Sequence, residues 1–231
     1  MHDYTEHPIF ITGLPRSGTS MTAGIFAQLG VFTGPTVPGG LSNPKGFFEN
    51  TIIREEIIKG ILNAANFCPL GVSSLPPIDF NEEINFDKKL SLKDILQRII
   101  LAQGYNKEVP WLYKDAKLTL LWRIFNSQFP NALWIIVRRD RENVIRSCLS
   151  THFMLQHSSK VDFWNKFADE YETRLEALLH CVKNVIQINT DELVNGHYEI
   201  IENICRDRGI NFVHSVVNDF VSPVHWNRGN P

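Results

Sequence analysis

The sequence predicts an α/β protein of three layers, a central parallel sheet flanked by helices. Three observations predict it. Short apolar runs that fit buried strands alternate with longer stretches whose apolar residues recur at helical spacing. That alternation runs from one end of the chain to the other. Neither an internal repeat nor a domain linker interrupts it, so residues 1–231 read as a single domain.

Each element can be justified in order. Pro8 to Thr12 (PIFIT) is a first strand, and Gly13 to Ser20 is a turn of Gly, Pro, Ser and Thr. A helix follows, with Met21, Ile25, Phe26 and Leu29 on one face. Gly34 to Gly46 is rich in Gly and Pro and long for a loop in a compact domain, which marks a binding segment. Thr51 to Asn66 reads as helix, Cys68 to Phe86 as an irregular connection, and Leu90 to Gln103 as an amphipathic helix. Trp111 to Tyr113 is a strand leading into Lys114 and Asp115. Lys117 to Phe129 is a helix with Leu118, Leu121, Trp122 and Phe125 on one side. Ala132 to Val137 (ALWIIV) is the clearest buried strand. Helices over Asn143 to Leu149, Phe163 to Val182 and Glu199 to Asp207, and a strand over Val185 to Ile188, complete the pattern. In such sheets ligands sit at the carboxyl ends of the strands, so the residues after PIFIT, WLY and ALWIIV are expected to converge.

Composition narrows the function. Hydrophobic residues make up 43% and charged residues 21%, close to the globular average, which argues against wholesale disorder. A net charge of −2 gives no global field for nucleic acid, so any anion must be held by a local cluster. Cys68, Cys148, Cys181 and Cys205 have no CxxC spacing and read as free thiols of a reducing compartment. His152 and His157 lie close in sequence but do not make a metal site. The opening MHDYTEHPIF is not a secretory signal, and no window reaches the roughly 18 apolar residues of a membrane span. A cytoplasmic protein is expected.

Two motifs carry chemistry. Gly13-Leu-Pro-Arg-Ser-Gly-Thr-Ser20 has the glycine spacing of a Walker A loop, GxxxxGK[ST]. Between strand and helix, its backbone N–H groups and the helix dipole form a nest for a tetrahedral anion, so the fold is of the P-loop type. Thr19 stands where a triphosphatase keeps the lysine for its β- and γ-phosphates, and the loop's cation is instead Arg16. The second motif follows ALWIIV. A magnesium-dependent triphosphatase would place an acid there; this chain has Arg138 and Arg139, suited to a second phosphate. Ser147, eight residues past Arg139, can share that phosphate. An ordinary Gly-Pro turn and a solvated basic turn are the plainer alternatives for the two motifs. Together, however, they suit a nucleotide bearing two separate anionic groups.

PIFITGLPRSGTS resembles the 5′-phosphosulfate loop of sulfotransferases, and LWIIVRRDRENVIRSCLS resembles their 3′-phosphate segment. The stretch from Lys114-Asp115 through Phe-Pro-Asn to the strand is similar to the bacterial and tyrosylprotein branches. The resemblance implies transfer of a sulfuryl group from 3′-phosphoadenosine 5′-phosphosulfate to a hydroxyl or amine of an acceptor, with no metal. It implies that Pro15, Arg16, Ser17, Gly18, Thr19 and Ser20 hold the phosphosulfate, and that Arg139 and Ser147 hold the 3′-phosphate. It further implies catalytic roles for Arg16, on the 5′-phosphosulfate, and for Lys114, on the sulfuryl or leaving-group oxygen, although Ala116 replaces the proline of the family's Lys-Asp-Pro element. The histidine of the animal cytosolic enzymes is absent. Glu49, in Gly46-Phe-Phe-Glu-Asn50, takes the place of the tyrosylprotein branch's glutamate base, shielded by Phe47 and Phe48. Asp115 is the second candidate, and a plain acidic cap on the Thr51 helix is the alternative role for Glu49. Trp226 to Gly229 is similar to a basic C-terminal segment that closes over the 3′-phosphate in some of these enzymes. The acceptor (carbohydrate, lipid, phenol or peptide) is expected to be read by Gly34 to Gly46 and Cys68 to Phe86. A P-loop nucleotide kinase and a non-catalytic nucleotide-binding module are the competing readings.

Overall fold

The computed structural model describes residues 4–40, 43–81 and 90–221. Four strands form one parallel sheet: β1 (Ile9–Gly13), β2 (Leu112–Lys114), β3 (Leu133–Arg138) and β4 (Val185–Asn189), in the order β2-β1-β3-β4. Helices cover both faces. In chain order they are α1 (Thr19–Gln28), α2 (Lys59–Ala64), α3 (Leu92–Ala102), α4 (Leu118–Gln128), α5 (Arg141–Ser150), α6 (His152–Leu155), α7 (Val161–Cys181), α8 (Thr190–Val194), α9 (Glu199–Asp207) and α10 (His214–Phe220). The three-layer reading of the sequence is therefore the observed architecture.

Strand alternation divides the core in two. Phe10, Trp134 and Ile136 face one side, where they pack with Leu121 and Phe125 of α4 and Tyr171 and Leu175 of α7. Phe10 is the hub of that side, with edge-on contacts to Trp111, Phe125 and Phe129 at ring-centroid separations of 5.9, 5.6 and 5.6 Å. Ile9, Ile11, Leu133, Ile135 and Val137 face the other side, against Ile25 and Phe26 of α1 and Ile201 and Cys205 of α9. Every residue of β1 is buried, as a strand sandwiched between helix layers must be.

The strand order sets the site. From β1 the chain passes to β2 on one side, then crosses back to β3 on the other. The crevice between the carboxyl ends of β1 and β3 is thus the topological switch point, where open α/β sheets bind ligands. Gly13 and Val137 are register partners at its base. A Cβ on Gly13 would lie 2.5 Å from the Val137 carbonyl oxygen, so only glycine lets the loop leave β1 this close to β3.

The helix predicted over residues 51–66 contains a wide turn. Residues Ile53–Ile58 are π-helical before α2 resumes the ordinary spacing. Such turns are rare and concentrate at functional sites, and this one adjoins the cleft described below. The short helices α6, α8 and α10 were not anticipated from sequence. Trp226 to Gly229 lies outside the described residues.

Candidate active site

The loop after β1 is tightly wound. Ser17 N–H bonds to the Leu14 carbonyl at 3.0 Å, and Arg16 and Gly18 adopt left-handed φ values of 75° and 98°. Such a conformation in arginine costs about 1–2 kcal/mol and is kept where surrounding structure enforces it. Here Thr190, the first residue of α8, supplies the brace: its hydroxyl donates to the carbonyls of Ser17 (2.9 Å) and Arg138 (3.1 Å). Gly18 caps α1 without a side-chain acceptor, which leaves the first N–H groups of that helix facing the cleft.

The cleft has a volume of about 360 Å³ and is lined by the residues after three strands: Pro15, Arg16, Gly18, Thr19 and Ser20 after β1, Lys114, Asp115 and Lys117 at the end of β2, and Arg139 after β3. Arg16 donates from Nε to Ser147 Oγ at 3.0 Å, and Arg139 donates from Nη1 to the Arg16 carbonyl at 3.2 Å. Two guanidiniums thus share one end of the cleft. Burial lowers the pKa of Arg16 from its ordinary value, with Cys148 acting in the opposite direction. Burial also lowers Arg139, where the pull of Asp191 is opposed by the Arg16 charge. Anionic groups bound at these two arginines would offset both their desolvation and their mutual repulsion.

At the other end, Lys114 is buried and makes three contacts: Glu49 Oε1 at 2.8 Å, Ser20 Oγ at 3.1 Å and the Phe47 carbonyl at 3.3 Å. Arg54, from the π-helical turn, holds Glu49 Oε2 at 2.8 Å as an ion pair whose Nε–H is not aligned as a hydrogen bond. Backbone anchors fix Glu49 in place. Val37 N–H donates to its carbonyl at 2.8 Å, and the neighbouring Asn50 side chain donates to the Thr33 carbonyl at 3.0 Å and to Gln103. Phe47 and Phe48 lie beside Glu49 on the cleft wall, but two cations, not an apolar shell, surround its carboxylate.

Asp115 is committed differently. Oδ2 accepts from the Tyr113 hydroxyl at 3.0 Å, while Oδ1 accepts from the Lys117 backbone at 2.8 Å and pairs with its ammonium at 2.9 Å. Burial alone would raise this carboxyl, but the charges of Lys117 and Lys114 and the Lys117 hydrogen bonds outweigh it, and its pKa is lowered. A carboxylate held ionised in this way braces the β2–α4 turn and makes a poor proton acceptor.

Three sequence expectations place differently. Arg138 points away from the cleft, to Glu176 at 2.5 Å and Gln187 at 2.9 Å. The Ser17 hydroxyl is buried without a partner, and a Cβ on Gly13 would lie 2.9 Å from it, so it turns toward β1 instead of lining the cleft. Ser147 props Arg16 from beneath. Arg54, Lys117, Lys45 and the wall formed by Phe153, Met154 and His157 belong to the cleft but escaped the sequence analysis. Among the described residues, no three His, Cys, Asp or Glu side chains group as metal ligands would.

The family model of the sulfotransferase family matches residues 8–214. The chain belongs to the sulfotransferase family. No curated protein sequence matches it. Among solved structures, it is similar to the sulfotransferase domain of the Synechococcus PCC 7002 olefin synthase, at 17% identity and a TM-score of 0.58, over 97% of this chain and 81% of that one. It is also similar to the sulfotransferase STF1 of Mycobacterium tuberculosis H37Rv (13% identity, TM-score 0.53, 93% and 70% covered). A third likeness is to the sulfotransferase STF9 of Mycobacterium avium (12% identity, TM-score 0.52, 98% and 69% covered). At these identities the likenesses show the fold. The residues of this sulfotransferase-family cleft fit a donor with two anionic ends: uncapped helix N–H groups, two half-buried guanidiniums and a buried lysine converge on one crevice.

Proposed function

We propose that this protein transfers a sulfuryl group from 3′-phosphoadenosine 5′-phosphosulfate to the hydroxyl or amine of an acceptor. The observation that carries the reading is the placement of a buried Lys114–Glu49 pair, 2.8 Å apart, in the same cleft as the Arg16–Arg139 anion end. The donor supplies the activated sulfuryl group; the chain supplies position and charge. The N–H groups of Gly18, Thr19 and Ser20, with Arg16, hold the 5′-phosphosulfate, and Arg139 holds the 3′-phosphate. Ser17 and Ser147 serve this arrangement from behind, through the loop and through Arg16.

Glu49 accepts the acceptor's proton as its oxygen bonds to sulfur. The bridging S–O bond breaks with its electron pair passing to the 5′-phosphate, whose growing charge Lys114 neutralises. Glu49 suits the base role better than Asp115 because Asp115 is the more committed of the two: its Oδ1 already holds both the Lys117 N–H and ammonium and its Oδ2 the Tyr113 hydroxyl, whereas each Glu49 oxygen carries a single cation. A proton arriving at Glu49 also loosens its hold on Lys114, freeing the ammonium for the leaving group. The four free thiols agree with work in a reducing, cytoplasmic setting. No helix among the described residues is long and apolar enough to cross a membrane.

Calorimetric titration with 3′-phosphoadenosine 5′-phosphate, in the absence of magnesium, tests the donor site. Wild type is expected to bind at micromolar Kd and Arg139→Ala about tenfold or more weakly, the loss of a charge-assisted phosphate contact. Binding of ATP–magnesium with none of the bisphosphate would put a kinase in place of this reading. Glu49→Gln should bind the bisphosphate as wild type does and transfer no sulfate; undiminished transfer would remove Glu49 as the base.

A further inference from the structure

Beyond the donor end, the cleft walls change character. Phe47, Phe48, Leu70, Val72, Phe153 and Met154 line them, contributed by the loop before the π-helical turn, the irregular segment after α2, and α6. Leu70 and Phe153 stand at the mouth 49% and 40% exposed. Large apolar side chains gathered in a groove are the mark of a site that meets an apolar ligand.

Most of the cations on these walls already hold a carboxylate. Lys45 donates to the Phe220 carbonyl and lies over the Phe220 ring. Arg54 pairs with Glu49 and Glu55, Lys117 with Asp115, and Lys114 with Glu49. An acidic peptide would therefore find Lys45 alone without a carboxylate among these described wall cations, and would have to break ion pairs to use the others. A sugar, whose several hydroxyls each need a polar partner, would meet mainly Asn43 and His157 among the described wall residues.

We infer that the acceptor is an alcohol carried on an apolar body, bound by burial of that body against Leu70, Val72, Phe153 and Met154 with its hydroxyl directed at Glu49. The inference rests on the sulfuryl-transfer reading and names the substrate class of that same cleft. Recognition by burial has a quantitative signature. In a homologous series the reacting hydroxyl stays constant, and each methylene buried tightens binding by about fourfold.

The test is calorimetric titration of 1-alkanols, from ethanol to octanol, into protein saturated with 3′-phosphoadenosine 5′-phosphate. The Kd is expected to fall by about threefold to fourfold per methylene. Leu70→Asn and Phe153→Asn, changes at half-exposed positions that the fold tolerates, should each weaken octanol binding by about threefold to tenfold and leave bisphosphate binding unchanged. A Kd independent of chain length overturns the inference. So does tighter binding of N-acetylglucosamine or of an acidic tyrosine peptide than of octanol. Either result leaves the donor site standing, since the protein is already loaded with nucleotide. Failure to load with the bisphosphate removes both the reading and the inference.

Discussion

Replacing Lys114 by methionine keeps most of the aliphatic stem and removes the ammonium, so it isolates the charge. In the folded protein that ammonium is almost wholly buried and holds Glu49, Ser20 and the Phe47 carbonyl. Removing one partner of a buried ion pair typically costs 3–5 kcal/mol, because the other charge is left uncompensated. Glu49 retains Arg54 at 2.8 Å, so the lower end, about 3 kcal/mol, is expected here. For a urea dependence of about 2 kcal/mol per molar, the midpoint falls by about 1.5 M, within the ~5–15 kcal/mol stability of a typical domain. Glu49→Gln, measured alone, should also destabilise, since it leaves Lys114 and Arg54 facing a neutral amide. The double variant should cost less than the sum of the two by about 1–3 kcal/mol, the coupling of groups in direct contact. Urea unfolding of the four proteins at constant pH reads that coupling. Additivity within about 0.5 kcal/mol would show that the pair does not exist in solution, and the proposed link between proton uptake at Glu49 and release of Lys114 would go with it.

Two further predictions concern titration. Asp115 has a folded-state pKa lowered from 3.8, so its contribution to stability is present at neutral pH and is lost as pH falls through the folded value. The stability gap between wild type and Asp115→Asn should therefore be greatest near neutrality and narrow below about pH 4; a gap unchanged between pH 7 and pH 3 in chemical denaturation would refute the buried network. Among the cysteines, burial opposes ionisation of Cys68, but hydrogen bonds from the Val72, Ser73 and Leu70 backbone and the Ser73 side chain bring it down to about 7. Burial pushes Cys148 and Cys205 up to about 12. Iodoacetamide followed by mass spectrometry should label Cys68 with a rate that rises through about pH 7 and leave Cys148 and Cys205 unmodified in the native state; equal labelling of the three would contradict the packing.

The strands and the tight loop after β1 were legible because they rest on local rules. PIFIT and ALWIIV are short, apolar and bounded by turn residues, and at position 13 a Cβ would lie 2.5 Å from the Val137 carbonyl oxygen, so the loop starts on glycine. Arg138 shows a signal present but unused. Strand alternation places it on the face of Trp134 and Ile136, which is the α7 side, where it meets Glu176; Arg139, just past the strand, turns into the cleft. Arg54 had no such signal. Its helix reads the same with or without a π-helical turn, and its pairing with Glu49 depends on the neighbouring Asn50 being held by the distant Thr33 carbonyl and Gln103 side chain. Helices α6 and α8, of four and five residues, are too short to display a period.

This division between legible and illegible residues follows the chemistry of the cleft. A tetrahedral anion is held by backbone N–H groups, and backbone geometry demands particular residues at particular spacing, so the proposed donor end corresponds to a motif in the chain. The proposed acceptor end is a wall of side chains from three separated segments, any of which need only be apolar and about the right size. Leu70 and Phe153 illustrate the consequence. Both stand at the mouth with much of their surface exposed, and neither supports the sheet, whereas Gly13 and Thr190 sit fully packed beneath the anion loop. Changes in the wall therefore alter what enters at little cost to folding, and changes beneath the loop alter whether the donor end forms at all. The acceptor class must accordingly be read from the assembled surface, by asking which wall charges already hold a carboxylate; Arg54 and Lys117 do, which supports the apolar alcohol proposed above.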